Sequence, residues 1–231
     1  MSIIFFNVFK TSLHMMKDRG YEESLNILDE LEKVPLGKDF AQMGDLFQNI
    51  GWNFKPFHSL EIKDALGRFK HSFVLTNEKD KKKGFVIFGL STKAFLVTVT
   101  SIILAYRLSP DFNDYKGEFI LILNKPFNSK FTARLDEISN YIDFRVHFDD
   151  SLQKRPFHAL GPISYEKMED SEVKVFLEES CLNTRQLKKI SSNDPVIKYY
   201  GFPKKSLIRI KRTPLIRGSL LQSTLDYRLV V

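Results

Sequence analysis

The chain has 231 residues, of which 43% are hydrophobic and 27% are charged, the balance expected of a globular protein with one large domain or two small ones. Its single cysteine, Cys181, excludes an internal disulfide and a zinc site built from several cysteines. The formal net charge of +7 permits a polyanionic partner but does not require one.

The first predicted element is a helix over residues 4–17, ended by Asp18 and Gly20. Its apolar residues recur at helical spacing: Phe5, Val8, Phe9, Leu13 and Met16. The start of the chain has neither a basic region nor a small-residue cleavage site, so a signal peptide is not expected. Further helices are predicted over 22–33, where leucines share a face, and over 40–47.

A hairpin is predicted next, with strands over 71–77 and 84–89 around a charged turn. The turn carries four lysines: Lys79, Lys81, Lys82 and Lys83. A solvated loop is the simpler interpretation of this run. Contact with phosphate groups is the alternative.

The most apolar segment, 94–106, lies between Lys93 and Arg107. It is shorter than the roughly 18–20 apolar residues that a membrane span needs. One helical face is apolar, which predicts a buried helix. A buried strand over 117–125, an amphipathic helix over 129–141 and a strand over 142–148 follow. Strands that alternate with helices predict an α/β sandwich around a mixed sheet.

The composition of the chain shifts after Asp150. Residues 166–179 are mostly acidic, and the chain is mostly basic from Arg185 onward. We therefore predict two domains, 1–153 and 154–231. A domain as small as the second is marginal on its own core, so docking onto a partner would add stability.

A search for catalytic motifs is negative. The five histidines lack metal-ligand spacing, and no nucleophile motif or glycine-rich phosphate loop occurs. A restriction-type nuclease would need an Asp and a later Glu-x-Lys; Asp111 and Glu118 are present, but Ile120 stands where the lysine belongs. Asp111 is expected to be a loop residue. The sequence predicts no catalytic residue, metal or cofactor.

The stretch NDPVIKYYG, Asn193 to Gly201, predicts a short capped helix. Asp194 caps the helix, Pro195 takes its first position, and Gly201 ends it in a left-handed conformation. Val196, Tyr199 and Tyr200 are expected on its apolar side. A helical or turn segment precedes it over 182–190, and strands over 204–212 and 225–231 follow, which makes a small α+β domain.

These residues resemble the C-terminal assembly domain of the fifth subunit shared by eukaryotic nuclear RNA polymerases, a domain that also has an archaeal counterpart. The family pattern is found here, in order, at these positions: His158, Leu160, Pro162, Gln186, Leu187, Ile190, Asp194, Pro195, Val196, Tyr199, Gly201, Arg212, Tyr227, Arg228, Leu229 and Val230. A fainter match covers Asp18 to Tyr21. Extra residues lie between Arg212 and Tyr227.

The resemblance implies a non-catalytic polymerase subunit without a membrane segment. Its N-terminal domain would be a jaw beside downstream duplex DNA, with a fold like restriction endonucleases but no active site. Its C-terminal domain would dock on the largest subunit. The expected assembly positions are Asp194, Pro195, Tyr199, Gly201, Arg212 and Arg228, and Lys79, Lys81, Lys82 and Lys83 are candidates for DNA proximity.

Two departures from the family pattern affect the expected origin. The loop after Arg212 is RTPLIRG, where the family has Arg-Pro-Ser-Glu-Thr-Ala-Gly, and Ser164 replaces a family histidine. Such divergence resembles a subunit from the polymerase of a large DNA virus, which would act in the virion and host cytoplasm; a cellular subunit would be nuclear. A stand-alone basic nucleic-acid-binding protein is the rival hypothesis, and a degenerate nuclease is a third.

Overall fold

The computed structural model describes residues 3–22, 27–29, 31, 68–126, 143–155, 163–213, 215–216, 219–220 and 223–231. The chain forms two compact units, Met1–Lys154 and Arg155–Val231. The predicted helices over 40–47 and 129–141 lie outside the described residues, as do His158, Leu160 and Pro162. Among the described residues no helix is both long and apolar enough to cross a membrane.

The first unit begins with helix α1, Ile3–Asp18, which confirms the first predicted helix. Gly20 then turns the chain with φ +89°, a conformation that favours glycine. Residues 27–29 and 31 are also helical, and Leu28 and Leu31 are buried. The predicted second helix is therefore confirmed where it is described.

The first unit contains a four-stranded mixed sheet with strand order β1-β2-β3-β4. A short 3-10 helix, Phe69–His71, leads into β1, Phe73–Asn77, which pairs antiparallel with β2, Lys82–Gly89. Strand β3, Lys116–Leu123, lies parallel to β2, and β4, Asp143–Phe148, lies parallel to β3. The predicted hairpin and both later strands are confirmed, although β2 begins within the predicted turn.

Helix α2, Lys93–Arg107, connects β2 to β3 and confirms the predicted helix. Thr92 caps it by accepting a hydrogen bond from the backbone N–H of Phe95. Helix α3, Asp111–Asp114, follows, so the prediction that Asp111 lies in a loop is wrong. Helix α4, Asp149–Leu152, follows β4.

Helices α1 and α2 pack on opposite faces of this sheet, because side chains alternate along each strand. Phe88 of β2 contacts Phe5 and Phe9 of α1, with ring centroids 5.1 and 5.8 Å apart. On the other face Phe85 lies 4.8 Å from the ring of Tyr106 in α2. The core of the unit is therefore two layers, one on each side of the sheet.

Two buried charge pairs tie the elements of this unit together. The guanidinium of Arg68 donates two hydrogen bonds to Asp149, at 2.6 and 2.7 Å. Glu118 of β3 accepts hydrogen bonds from Arg19 and from the hydroxyl of Tyr21, at the C-terminal end of α1. A buried carboxylate is stable only with such partners.

The second unit contains a four-stranded sheet with strand order β5-β7-β10-β6. Its strands are β5, Ile163–Lys167; β6, Lys188–Ile190; β7, Leu207–Arg212; and β10, Thr224–Val230. Strand β7 is antiparallel to both β5 and β10, whereas β6 is parallel to β10. The two strands predicted after Gly201 are confirmed, and a small hairpin of β8, Leu215–Ile216, and β9, Ser219–Leu220, lies between them.

One helix contributes to the core on each face of this sheet. Helix α5, Asp170–Glu179, places Phe176 in stacking contact with Tyr227, at 4.2 Å between ring centroids. Helix α6, Pro195–Tyr200, packs Ile197 against Ile208 on the other face. The α+β fold class predicted for the chain is confirmed: each unit combines a mixed sheet with helices.

The segment before α6 differs from its prediction. Residues 184–186 form a turn within the predicted helical or turn segment, but Ile190 lies in strand β6. Backbone pairing with β10 explains the difference, because Ile190 lies opposite Val230 in the parallel register.

Candidate functional site

Residues at both ends of the NDPVIKYYG stretch determine where its helix begins and ends. The side chain of Asp194 accepts a hydrogen bond from the backbone N–H of Val196 at 2.9 Å, and Pro195 stands in the first turn. Gly201 ends the helix with φ +71°. The local roles predicted for these three residues are confirmed. Their contribution to assembly stays a prediction.

Tyr199 lies inside the second unit and is 1% exposed. Together with Ile197, it is a buried residue of α6, whereas Val196 is only half-buried. The ring of Tyr199 meets that of Tyr200 edge-on at 5.4 Å, and Tyr200 stacks on Phe202 at 5.1 Å. Tyr199 therefore supports the surface from beneath, and the partly exposed aromatic groups beside it are Tyr200 and Phe202.

The predicted arginines meet at one carboxylate. Asp226 of β10 accepts a hydrogen bond from Arg228 Nε at 3.0 Å and one from Lys188 Nζ at 3.1 Å. Arg212 Nη1 lies 3.5 Å from the same carboxylate. We name these four residues the Asp226 cluster. It holds three cations and one anion, so it keeps a net positive charge.

The sheet register explains why these side chains share a face. Arg228 lies opposite Ile208 on one side and Lys188 on the other, and Asp226 lies opposite Ile210. Directly opposed residues of neighbouring strands point to the same face. Ile208 and Ile210 contact Ile197 of α6 in the core, which places the Asp226 cluster on the α6 face of the sheet.

The cluster lowers the pKa of Asp226. Burial alone would raise this pKa, but the hydrogen bonds from Arg228 and Lys188 outweigh burial and hold the pKa below its ordinary value. The carboxylate stays ionised at neutral pH and fixes the three cations around it.

Tyr165 of β5 links the Asp226 cluster to α6. Burial raises the pKa of its phenol; the charge of Asp194 raises it further, and Arg212 and Arg228 oppose this rise. The ring of Tyr165 lies 5.6 Å from that of Tyr200. The two predicted arginines and the helix capped by Asp194 therefore lie on the same side of the sheet.

On the opposite face of the sheet in the second unit, acidic side chains neutralise Arg209. Arg209 of β7 pairs with Glu166 of β5 at 3.1 Å and with Glu172 of α5 at 3.2 Å. These acids belong to the acidic stretch seen in the sequence. Part of that acidic stretch therefore forms ion pairs with a basic strand of the same unit.

The four lysines predicted to lie near DNA occupy the turn between β1 and β2 and the start of β2. Lys81 pairs with Glu78 at 2.9 Å, Lys82 with Asp80 at 3.7 Å, and Lys83 with Asp111 at 2.5 Å, and Lys79 is exposed. Hydrogen bonds from Lys81 and Tyr115 lower the pKa of Glu78. Three of the four lysines therefore have a carboxylate beside them.

The positions tested for a nuclease do not form an active site. Asp111 is exposed in α3, where it pairs with Lys83. Glu118 is held by Arg19 and Tyr21, and Ile120 is fully buried. In the part of the chain that the structure describes, no group of three or more acidic, histidine or cysteine side chains is placed to hold a metal.

Sequence reasoning missed Asp226, Lys188 and Tyr165. Asp226 had a usable signal, because it lies two residues before Arg228 in a strand and so points to the same face. Lys188 and Tyr165 had none, since they meet Asp226 and α6 only through strand pairing across long stretches of sequence.

Comparison with known proteins relates the chain to subunits of RNA polymerases. Residues 157–230 match the family described as RNA polymerase Rpb5, C-terminal domain. The chain is 25% identical over 223 residues to DNA-directed RNA polymerase V subunit 5A of Arabidopsis thaliana, covering 96% of this chain and 85% of that protein. It is also 25% identical over 221 residues to DNA-directed RNA polymerases IV and V subunit 5B of the same plant, covering 96% and 87%.

Proposed function

We propose that the chain is a non-catalytic fifth subunit of a DNA-directed RNA polymerase, and that its second unit docks on the largest polymerase subunit. The observation that supports this proposal is that the family match and the second unit have nearly the same boundaries, and that predicted assembly residues lie together within that unit. The family match, 157–230, fills the compact unit Arg155–Val231. Within that unit, the predicted assembly residues Arg212 and Arg228 share one face.

The docking face is the α6 face of the sheet. It offers the net positive Asp226 cluster beside the partly exposed rings of Tyr165 and Tyr200. Aromatic and arginine side chains are the groups that most often dominate binding energy at protein interfaces. The recognised surface of the largest subunit would therefore supply carboxylates and an apolar contact.

Binding between the purified full chain and the purified largest subunit tests this proposal. Replacing Arg212 and Arg228 together by alanine is expected to weaken binding at least ten-fold, measured by interferometry. The matched control replaces Lys189 and Lys211, two exposed cations of the opposite face of the same sheet, and should leave affinity unchanged. Equal affinities of both double variants would contradict docking through the Asp226 cluster.

The proposed role of the first unit is a jaw beside downstream duplex DNA. The turn lysines would contact the phosphate backbone without sequence preference, and salt would weaken that contact. The ion pairs of Lys81, Lys82 and Lys83 reduce the net charge offered there. This part of the polymerase would therefore bind the duplex weakly and help to position it.

A viral origin is proposed from the altered segment after Arg212. This segment contains the β8–β9 hairpin, and Ser164 lies opposite Lys211 in the neighbouring strands. A viral subunit would act in the virion and host cytoplasm, and a cellular one in the nucleus. Mass spectrometry of purified virions and of host nuclei, each scored for this chain together with its polymerase, separates the two.

A further inference from the structure

The α6 face of the second unit carries the side chains with which proteins bind single-stranded nucleic acid. The Asp226 cluster supplies three cations. Beside it, Tyr165, Tyr200 and Phe202 form a row of partly exposed rings, with neighbouring ring centroids 5.6 and 5.1 Å apart. Cations beside aromatic rings are the groups that hold the phosphates and stack the bases of single strands. With these groups alone, the face would bind nucleic acid as well as protein.

The carboxylate of Asp226 opposes the binding of phosphate. Its side chain is only 13% exposed, so it is largely shielded from solvent. The side chains of Lys188, Arg212 and Arg228 are 73%, 40% and 34% exposed, so the cations reach solvent. A phosphate that approached these cations would also approach the carboxylate, and the two anions would repel each other. Salt screens this repulsion less than it screens fully exposed charges, because the carboxylate is mostly buried.

Asp226 also fixes the direction in which its neighbours donate hydrogen bonds. It accepts from Arg228 Nε at 3.0 Å and from Lys188 Nζ at 3.1 Å, which leaves the two terminal nitrogens of the guanidinium for a partner. A folded protein surface with a carboxylate at the matching position gains affinity from donors that are already fixed. A flexible strand gains affinity mainly from net charge, since each neutralised phosphate adds to it. The carboxylate therefore favours a protein partner over a strand.

We propose that Asp226 keeps the phosphates of single-stranded nucleic acid off the α6 face and so determines the binding specificity of that face. Specificity depends on groups that repel a wrong ligand as well as on groups that attract the right one. This role of Asp226 rests on the proposed docking of the same face. Exclusion of nucleic acid is nevertheless measured separately, because the measurement does not need the largest subunit.

The test uses Asp226→Asn in the full chain, with a fluorescent single strand of DNA about 20 nucleotides long as the probe. The substitution removes one negative charge and keeps the volume of the side chain. One further phosphate contact steepens the slope of log affinity against log salt by about 0.7, or about eight-fold tighter binding at about 50 mM salt. We expect fluorescence anisotropy to show both changes. An affinity and a slope equal to those of the unchanged chain would overturn the proposal.

Two further variants show whether the gain arises at the Asp226 cluster. Asp226→Asn combined with Arg228→Ala removes one of the three cations and should return the affinity to about that of the unchanged chain. A gain that persisted in this double variant would come from a loosened fold and would contradict the proposal. Glu166→Gln makes the same change of charge on the opposite face, where Arg209 keeps its ion pair with Glu172 at 3.2 Å. It should leave the affinity for DNA within about two-fold, and a gain equal to that of Asp226→Asn would also contradict the proposal.

Binding to the largest subunit provides the second measurement. Asp226→Asn should bind this subunit no more tightly than the unchanged chain does, because the substitution also removes the fixed geometry of the donors. A similar gain for strand and subunit would overturn the proposal, since it would show attraction by charge alone. If alanine at both Arg212 and Arg228 leaves binding to the subunit unchanged, the docking proposal fails. DNA binding by Asp226→Asn then still decides whether the carboxylate excludes phosphate.

Discussion

At the scale of single residues, the carboxylate of Asp226 lies among three cations and separates them. Replacement by asparagine keeps the volume but leaves Lys188, Arg212 and Arg228 facing one another. Hydrogen bonds to charged groups contribute roughly 1.5–3 kcal/mol each, before solvent screening of this partly exposed site. We expect Asp226→Asn to lower the free energy of unfolding by about 1–2 kcal/mol in urea denaturation. Glu179→Gln, at an exposed acid of the same unit, should change it by less than about 0.5 kcal/mol.

The lowered pKa of Asp226 also predicts a pH dependence. Its folded pKa lies below the ordinary Asp value of 3.8, so its contribution to stability is complete above that value. The contribution is lost as pH falls from about 3.8 through the folded pKa. The stability difference between the unchanged chain and Asp226→Asn should therefore be constant from pH 7 to pH 5 and shrink below pH 4. A difference that grows on acidification would contradict the ion-pair account.

At the scale of elements, α2 is fixed on its sheet by close approach at Gly89. A Cβ atom there would lie 2.1 Å from the ring of Phe95. Overpacking of this kind costs about 1–3 kcal/mol. We expect Gly89→Ala to destabilise the chain by that amount, and Phe95→Leu, which removes the ring, to recover part of the loss in the double variant. If the losses in free energy of unfolding of the two single variants simply add in the double variant, measured by denaturation, the helix does not rest on this contact.

The elements also show where sequence reasoning succeeds. Helix α2 was predictable in spite of its β-branched residues, because one complete face is apolar. Helix α6 was predictable because Asp194, Pro195 and Gly201 each act on their own backbone. Strand β6 was not predictable, since its three residues carry no periodic signal and pair with the strand that contains Arg228, forty positions after Lys188. The Asp226 cluster escaped prediction for the same reason: it is assembled by register between strands.

At the scale of the whole molecule, the formal charge of +7 is a poor guide to binding. Arg209 is paired with two acids, Lys188, Arg212 and Arg228 surround a third, and three turn lysines each have a carboxylate nearby. Such pairs leave fewer cations for phosphate than the count suggests. These ion pairs favour binding to a folded protein partner over sequence-independent binding to nucleic acid.

The salt dependence of DNA binding tests this balance directly. Each phosphate neutralised adds about −0.9 to the slope of log affinity against log salt. In the assembled polymerase on a downstream duplex, alanine at Lys79, Lys81, Lys82 and Lys83 should flatten the slope by about 1, because three of the four lysines face a carboxylate.

The converse variant neutralises the three acids that pair with these lysines. It combines Glu78→Gln, Asp80→Asn and Asp111→Asn in one chain. This variant releases the three paired lysines and should steepen the slope by about 2 to 3. The isolated chain should bind the same duplex weakly, with a shallow slope, since a subunit relies on the polymerase to present the duplex to it. A slope of about −4 or steeper for the isolated chain would instead identify a stand-alone nucleic-acid-binding protein. The ion pairs of the turn would then open on contact with phosphate.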